Sequence, residues 1–132
     1  MQINTGTACH LDAAMVARVL PELDPPGGSL LFIENVGNLV CPAEFDLGEA
    51  KRVLVVSVTE GDDKPYKYPH MFRSSDLVVL SKEDLLPHVP FDVDAFTAAA
   101  HEVRPNVEIL RVPATRVVKW TTWVTADDVV AR

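Results

Sequence analysis

Residues 29–42, SLLFIENVGNLVCP, decide how this chain is read. Leu30-Leu31-Phe32-Ile33 is a short apolar run. It breaks off at Glu34-Asn35 and is followed by Gly37, Asn38, Cys41 and Pro42. A buried strand that ends in a carboxylate and a glycine-containing loop is one way an α/β protein builds a site at a sheet edge. The run predicts a strand over 29–34.

Three more runs read as strands: RVLVVSV at 52–58, DLVVL at 76–80 and VEILRV at 107–112. The near-continuous β-branched run at 52–58 predicts a strand covered on both faces. Upstream, Leu11, Ala14, Met15, Val19 and Leu20 recur at helical spacing, with Asp12 in the first turn, until Asp24-Pro25-Pro26-Gly27-Gly28 breaks the pattern. Asp92 is a plausible N-cap for a helix over 93–103. The segment TEGDDKPYKYP at 59–69, with its two prolines, reads as a loop, Met71-Phe72 as the start of a short helical turn, and 116–132 as a ragged amphipathic helix. Strands separated by crossovers imply an α/β fold with a parallel sheet and helices on both faces. Its C-terminal strand ends then carry Glu34-Asn35, Thr59 to Asp63, Ser81 to Asp84, and Pro113-Ala114-Thr115.

A length of 132 residues suggests one domain, and 48% hydrophobic residues suffice for a core. The net charge of -7 argues against a nucleic-acid or anionic-membrane binder, which needs a basic face. No apolar run approaches the ~20 residues that span a bilayer. The start of the chain lacks a charged-then-apolar leader pattern, so a cytoplasmic protein is expected.

Cys9, His10 and Cys41 are ligand types suited to zinc or nickel. Their spacing is not that of a zinc finger, and it leaves open a pair of inert thiols beside a loop histidine. Ser81-Lys82-Glu83-Asp84 at a strand end is similar to the guanine-reading Asn-Lys-x-Asp pattern. There the carboxylate accepts two hydrogen bonds that adenine cannot supply, and the lysine stem packs on the base. A charged helix start has the same letters. Ala114 would add a backbone N–H for the guanine carbonyl. Glu34 to Gly37 stands where nucleotide hydrolases put a carboxylate for the magnesium shell and a glycine near the γ-phosphate, although a solvated loop reads the same way. His70, His88 and His101 have no partner at metal-ligand spacing.

Together CHLDA at 9–13, FIENVGNLVCP at 32–42, FDLGE at 45–49, SVTEGDDKP at 57–65, KYPHMF at 67–72 and KEDLLP at 82–87 resemble the HypB family, the GTPases of nickel insertion in nickel–iron hydrogenase maturation. The resemblance implies a SIMIBI-type, P-loop-GTPase-like domain acting as a cytoplasmic, nucleotide-dependent metallochaperone. It implies a homodimer formed through the metal-site face, with hydrogenase maturation proteins and the hydrogenase large subunit as partners. Cys9, His10 and Cys41 are the implied ligands of nickel or zinc. Lys82, Asp84 and Ala114 are the implied guanine site, and Glu34 and Gly37 the implied catalytic switch residues near magnesium and the GTP γ-phosphate. One departure stands out: none of the six glycines belongs to a Gly-x-x-x-x-Gly-Lys-Ser/Thr loop. The expectation is therefore one partial GTPase domain over 1–132, N-terminally truncated, with the first strand and phosphate loop missing. GTP hydrolysis by this chain alone is then not expected, because phosphate contacts supply most transition-state stabilisation. The alternatives are a non-catalytic metal- or partner-binding module and a decayed fragment.

Overall fold

The computed structural model describes residues 1–115. They fall into two compact units, one of Met1–Ala50 and the other of residues 51–115. The expected tail helix over 116–132 lies outside the described residues.

In the first unit the regular elements are helix α1, Ala13–Leu23, and a 3-10 turn, Cys41–Glu44. Asp12 caps α1 by accepting from the Met15 N–H at 2.7 Å, so it is the N-cap rather than a first-turn residue. Asp24, at φ 38°, ends the helix in the left-handed region and donates its N–H to the Leu20 carbonyl. The strand expected over 29–34 does not form. Phe32 is 83% exposed, and Leu30 and Leu31 are exposed beside it. An extended apolar run becomes a strand only with a neighbour to take its N–H and C=O groups, and no described strand pairs with this one.

The second unit is a three-stranded parallel sheet, β1 Val53–Ser57, β2 Leu77–Ser81 and β3 Glu108–Val112, in the order β1-β2-β3. Val53 pairs with Leu77, and Leu77 in turn with Glu108. The central strand β2 is buried over Leu77-Val78-Val79-Leu80. This is the pattern the sequence suggested for the 52–58 run. Instead β1 lies at an edge of the described sheet and alternates, with Val53 and Val55 exposed and Leu54 and Val56 buried. Composition alone could not tell a central from an edge strand, because both are rich in valine.

The segment 59–69 is more ordered than its prolines suggested. Ser57 caps a 3-10 turn, Val58–Glu60, while the Glu60 side chain accepts from the Ser57 N–H. Pro65 and Pro69 then fall in the first turns of α2, Lys64–Lys67, and α3, Pro69–Ser74, where a missing N–H costs nothing. Helix α4, Val93–Val103, follows its cap Asp92, which accepts from the Asp94 and Ala95 N–H groups at 2.9 Å. Phe72 from α3 and Phe96 from α4 meet edge-on in the core, ring centroids 5.9 Å apart. Asp92→Ala is expected to cost about 1 kcal/mol, because the two freed N–H groups have only water to replace the cap; urea unfolding of the variant measures it.

Parallel pairing places the C-terminal ends of all three strands on one edge. The 3-10 turn Val58–Glu60, the Lys82 corner and Ala114 follow those ends.

Candidate functional site

Two groups of chemically capable residues form, one within each unit.

The first is built from two loops. A tight turn, in which Asn4 accepts from the Gly6 N–H and Thr5 bonds Ala8 through both its carbonyl and its hydroxyl, delivers Cys9 and His10 just ahead of α1. In the second loop Asn38 Oδ1 accepts from the Val40 N–H at 2.8 Å, and buried Pro42 starts the 3-10 turn that opens on Cys41. The ligand atoms of Cys9, His10 and Cys41 all lie within 4.8 Å of one another. The two sulfurs are 2.7 Å apart, beyond the about 2.05 Å of a disulfide, and both cysteines are free. His10 Nδ1 is 3.8 Å from the Cys9 sulfur. The His10 ring stacks on Phe45 with centroids 3.7 Å apart and planes 11° from parallel. This contact limits rotation of the imidazole.

The Cys41 thiol is held above the ordinary thiol range. The hydrogen bond with Cys9 is the largest cause, followed by desolvation and the Cys9 charge, and a hydrogen bond with Asn38 opposes them. A bound cation favours the Cys41 thiolate against these causes. The donor set of two sulfurs and one imidazole nitrogen fits zinc or nickel, and with three protein ligands a tetrahedral ion keeps one position for exchange.

Asn35 was not singled out in the sequence for this site. Its Oδ1 accepts from the Leu11 N–H at 3.0 Å, across 24 residues, and from the Val36 N–H at 2.8 Å. Phe45 stacks on His10 from the segment FDLGE. No spacing rule picks out either, since each acts through a fold contact. Glu34 and Gly37 are exposed, and Glu34 makes no hydrogen bond or ion pair with the described residues. Gly37 has no left-handed φ, and a Cβ there would meet nothing within 4 Å.

The second group is the edge of the sheet beyond β2 and β3. Lys82 turns the chain at φ 60°, an uncommon conformation for a side chain of its size. Ser81 Oγ donates to the Val56 carbonyl, and the Leu85 N–H donates to the Lys82 carbonyl, so the corner is tied on both sides. An ion pair between Arg111 of β3 and Glu83 closes it from the next strand. Asp84 then faces the end of β3. Its Oδ1 accepts from the Ala114 N–H at 2.7 Å and its Oδ2 from the Thr115 hydroxyl at 3.2 Å. Asp84 and Ala114 are thus brought into contact and Lys82 stands at the same corner, and the Ala114 N–H is committed to Asp84 in this structure rather than left for a base. Thr115 and Arg111 were missed. The hydroxyl after Pro113-Ala114 was the available signal for Thr115.

His101 Nε2 lies 3.1 Å from the Val107 carbonyl and serves the turn into β3. No helix of the described residues is long and apolar enough to cross a membrane.

Residues 1–111 match the CobW/HypB/UreG nucleotide-binding domain family. The chain is 58% identical over 127 residues to the hydrogenase maturation factor HypB of Azotobacter vinelandii, covering 94% of this chain and 42% of that protein. To HypB of Escherichia coli strain K12 it is 54% identical over 126 residues, covering 93% and 43%. Among solved structures it resembles HypB from Helicobacter pylori in complex with nickel, with a TM-score of 0.80, 40% identity, and coverage of 85% of this chain and 54% of that one. HypB from Archaeoglobus fulgidus superposes with a TM-score of 0.77 at 48% identity, covering 83% and 53%. The chain spans about half the length of the relatives it matches.

Proposed function

This chain belongs to the CobW/HypB/UreG nucleotide-binding family, and from that premise we propose that it handles nickel in hydrogenase maturation, taking nickel or zinc through Cys9, His10 and Cys41. The observation that carries the reading is the convergence of two thiols and an imidazole from loops 32 residues apart to within 4.8 Å. The similar Helicobacter pylori protein was crystallised with nickel, and the maturation role follows the named activity of the curated relatives.

The ion is cargo. The thiols must lose their protons to hold it, so loading releases protons and competing acid releases metal. With three protein donors, the fourth position is open to water, to a receiving site, or to a second copy of the chain, which suits transfer and a homodimer joined at this face. The receiving partners would be other maturation proteins and the hydrogenase large subunit.

The nucleotide end is assigned by the same reading. Asp84 accepts from a guanine base once it turns from Ala114, and the exposed Lys82 stem packs on the base. Glu34 and Gly37 are the proposed switch residues near magnesium and the γ-phosphate. The 132 residues hold no Gly-x-x-x-x-Gly-Lys-Ser/Thr loop to cradle phosphate.

Titration of the chain with nickel and with zinc, against a chromophoric chelator, tests the metal reading. The expected result is saturable binding with a sulfur-to-metal charge-transfer band for nickel. Absence of both binding and band would refute it.

A further inference from the structure

We infer that Asn35 is the positioning residue of the Cys9–His10–Cys41 cluster, joining the two loops that carry its donors. The inference rests on the reading of those three residues as metal ligands. Cys9 and His10 reach the cluster from the segment that runs into α1, and Cys41 reaches it from the loop after residue 35. Neither segment is part of a sheet, so no ladder of backbone bonds holds the loops in register. Beside the Cys9–Cys41 sulfur contact and the His10–Phe45 stack, one carboxamide oxygen accepts hydrogen bonds from backbone N–H groups of both. Asn35 Oδ1 takes the Leu11 N–H from one segment and the Val36 N–H from its own. Leu11 is 5% exposed, so water is a poor substitute for the lost acceptor. It directly follows His10, and a shift of the Leu11 backbone carries His10 and Cys9 with it. Asn35 therefore sets how often the Cys9 and Cys41 sulfurs meet.

The chemistry calls for an acceptor and nothing else. A carboxylate at position 35 retains it, whereas a methyl group removes it. Asn35→Asp is therefore the rescue variant and Asn35→Ala the test.

The variants are compared in two ways. In the first, cobalt(II) is titrated into the wild type, Asn35→Ala and Asn35→Asp, reading the sulfur-to-cobalt band. Outer partners of metal ligands typically contribute about 10–100-fold in affinity. Asn35→Ala should lose at least about tenfold while reaching a similar band at saturation, since all three donors remain. Asn35→Asp should bind like the wild type. In the second, the metal-free chains are equilibrated with reduced and oxidised glutathione. Closing the Cys9–Cys41 disulfide passes two electrons to one glutathione disulfide and releases two reduced glutathiones, and its equilibrium reports how often the thiols meet. Asn35→Ala should need a buffer about tenfold more oxidising for half-closure, a shift of about 30 mV, and Asn35→Asp no such shift.

Wild-type metal affinity and wild-type glutathione equilibrium in Asn35→Ala would overturn the inference. So would an Asn35→Asp variant as impaired as Asn35→Ala, because acceptance by the side-chain oxygen would then not be the cause. If the wild type binds no metal yet Asn35→Ala shifts the glutathione equilibrium and Asn35→Asp does not, the ligand reading fails while the role of Asn35 in pairing the two loops stands.

Discussion

Cys41→Ala is expected to remove tight nickel and zinc binding, with a loss above about 100-fold, since removing a ligand exceeds the 10–100-fold cost of removing its outer partner. The size follows from the donor count. Among the described residues three donors converge here, and two of them are the sulfurs of Cys9 and Cys41. Deleting one leaves a thiol and an imidazole from adjacent residues of one loop, Cys9 and His10. A two-donor set from one segment cannot close around a tetrahedral ion. Cys41→Ser separates donor chemistry from packing, since the hydroxyl is nearly the same size but a poor ligand for these ions. It should bind as weakly as Cys41→Ala. Chelator competition reads the affinity, and the sulfur-to-metal band should fall with it. Either variant binding like the wild type would remove Cys41 from the ligand set.

The largest effect on stability is expected at Phe96. Its ring is wholly buried in α4, edge-on to the equally buried Phe72, and 5.4 Å from the ring of Phe91. Phe96→Ala removes the aromatic partner of both and leaves a cavity where α4 packs on α3. Buried phenylalanine-to-alanine changes cost about 3–5 kcal/mol, a large share of the 5–15 kcal/mol typical of a folded domain. Urea or thermal unfolding of the chain should show the loss. Phe96→Leu, which restores most of the volume, should recover the greater part of it. A cost near zero for Phe96→Ala would mean that this side chain is not packed as described. Because Phe96 lies in the second unit and Cys41 in the first, measuring metal affinity in Phe96→Leu provides a control for the ligand variants.

Much of the fold was legible because its signals are local. Asp92 stands immediately ahead of a helical apolar pattern and caps the predicted helix, whereas Asp12, expected in a first turn, is the N-cap of the other. The runs at 52–58, 76–80 and 107–112 became the three parallel strands. What failed depended on neighbours. SLLFIE at 29–34 has the composition of a strand but no described strand beside it. Pro65 and Pro69 looked like breakers until their positions in first turns made them starters. The valines of 52–58 could not disclose that β1 is exposed on one face.

The candidate site divides the same way. Cys9, His10 and Cys41, and likewise Lys82, Asp84 and Ala114, were named from residue type and from resemblance to a known set of motifs. Asn35, Phe45, Thr115 and Arg111 were not, since their parts consist of contacts that no short spacing encodes.

By itself, then, the sequence determined the Asp92 cap, the three strands that formed, the family, and the identity of the sulfur and imidazole donors, because each is written in adjacent residues or a short motif. Tertiary structure alone decided that Asn35 holds Leu11 and that the Ala114 N–H belongs to Asp84, and it supplied the meeting of Cys41 with Cys9 and His10 that the resemblance implied. These are pairings across 24 to 32 residues, and folding selects such contacts through burial and loop closure rather than through any local preference of the chain. The opening stretch 29–42 shows both halves: its letters named a site, and its fold replaced the expected strand with a loop that brings Asn35 to Leu11 and Cys41 to Cys9.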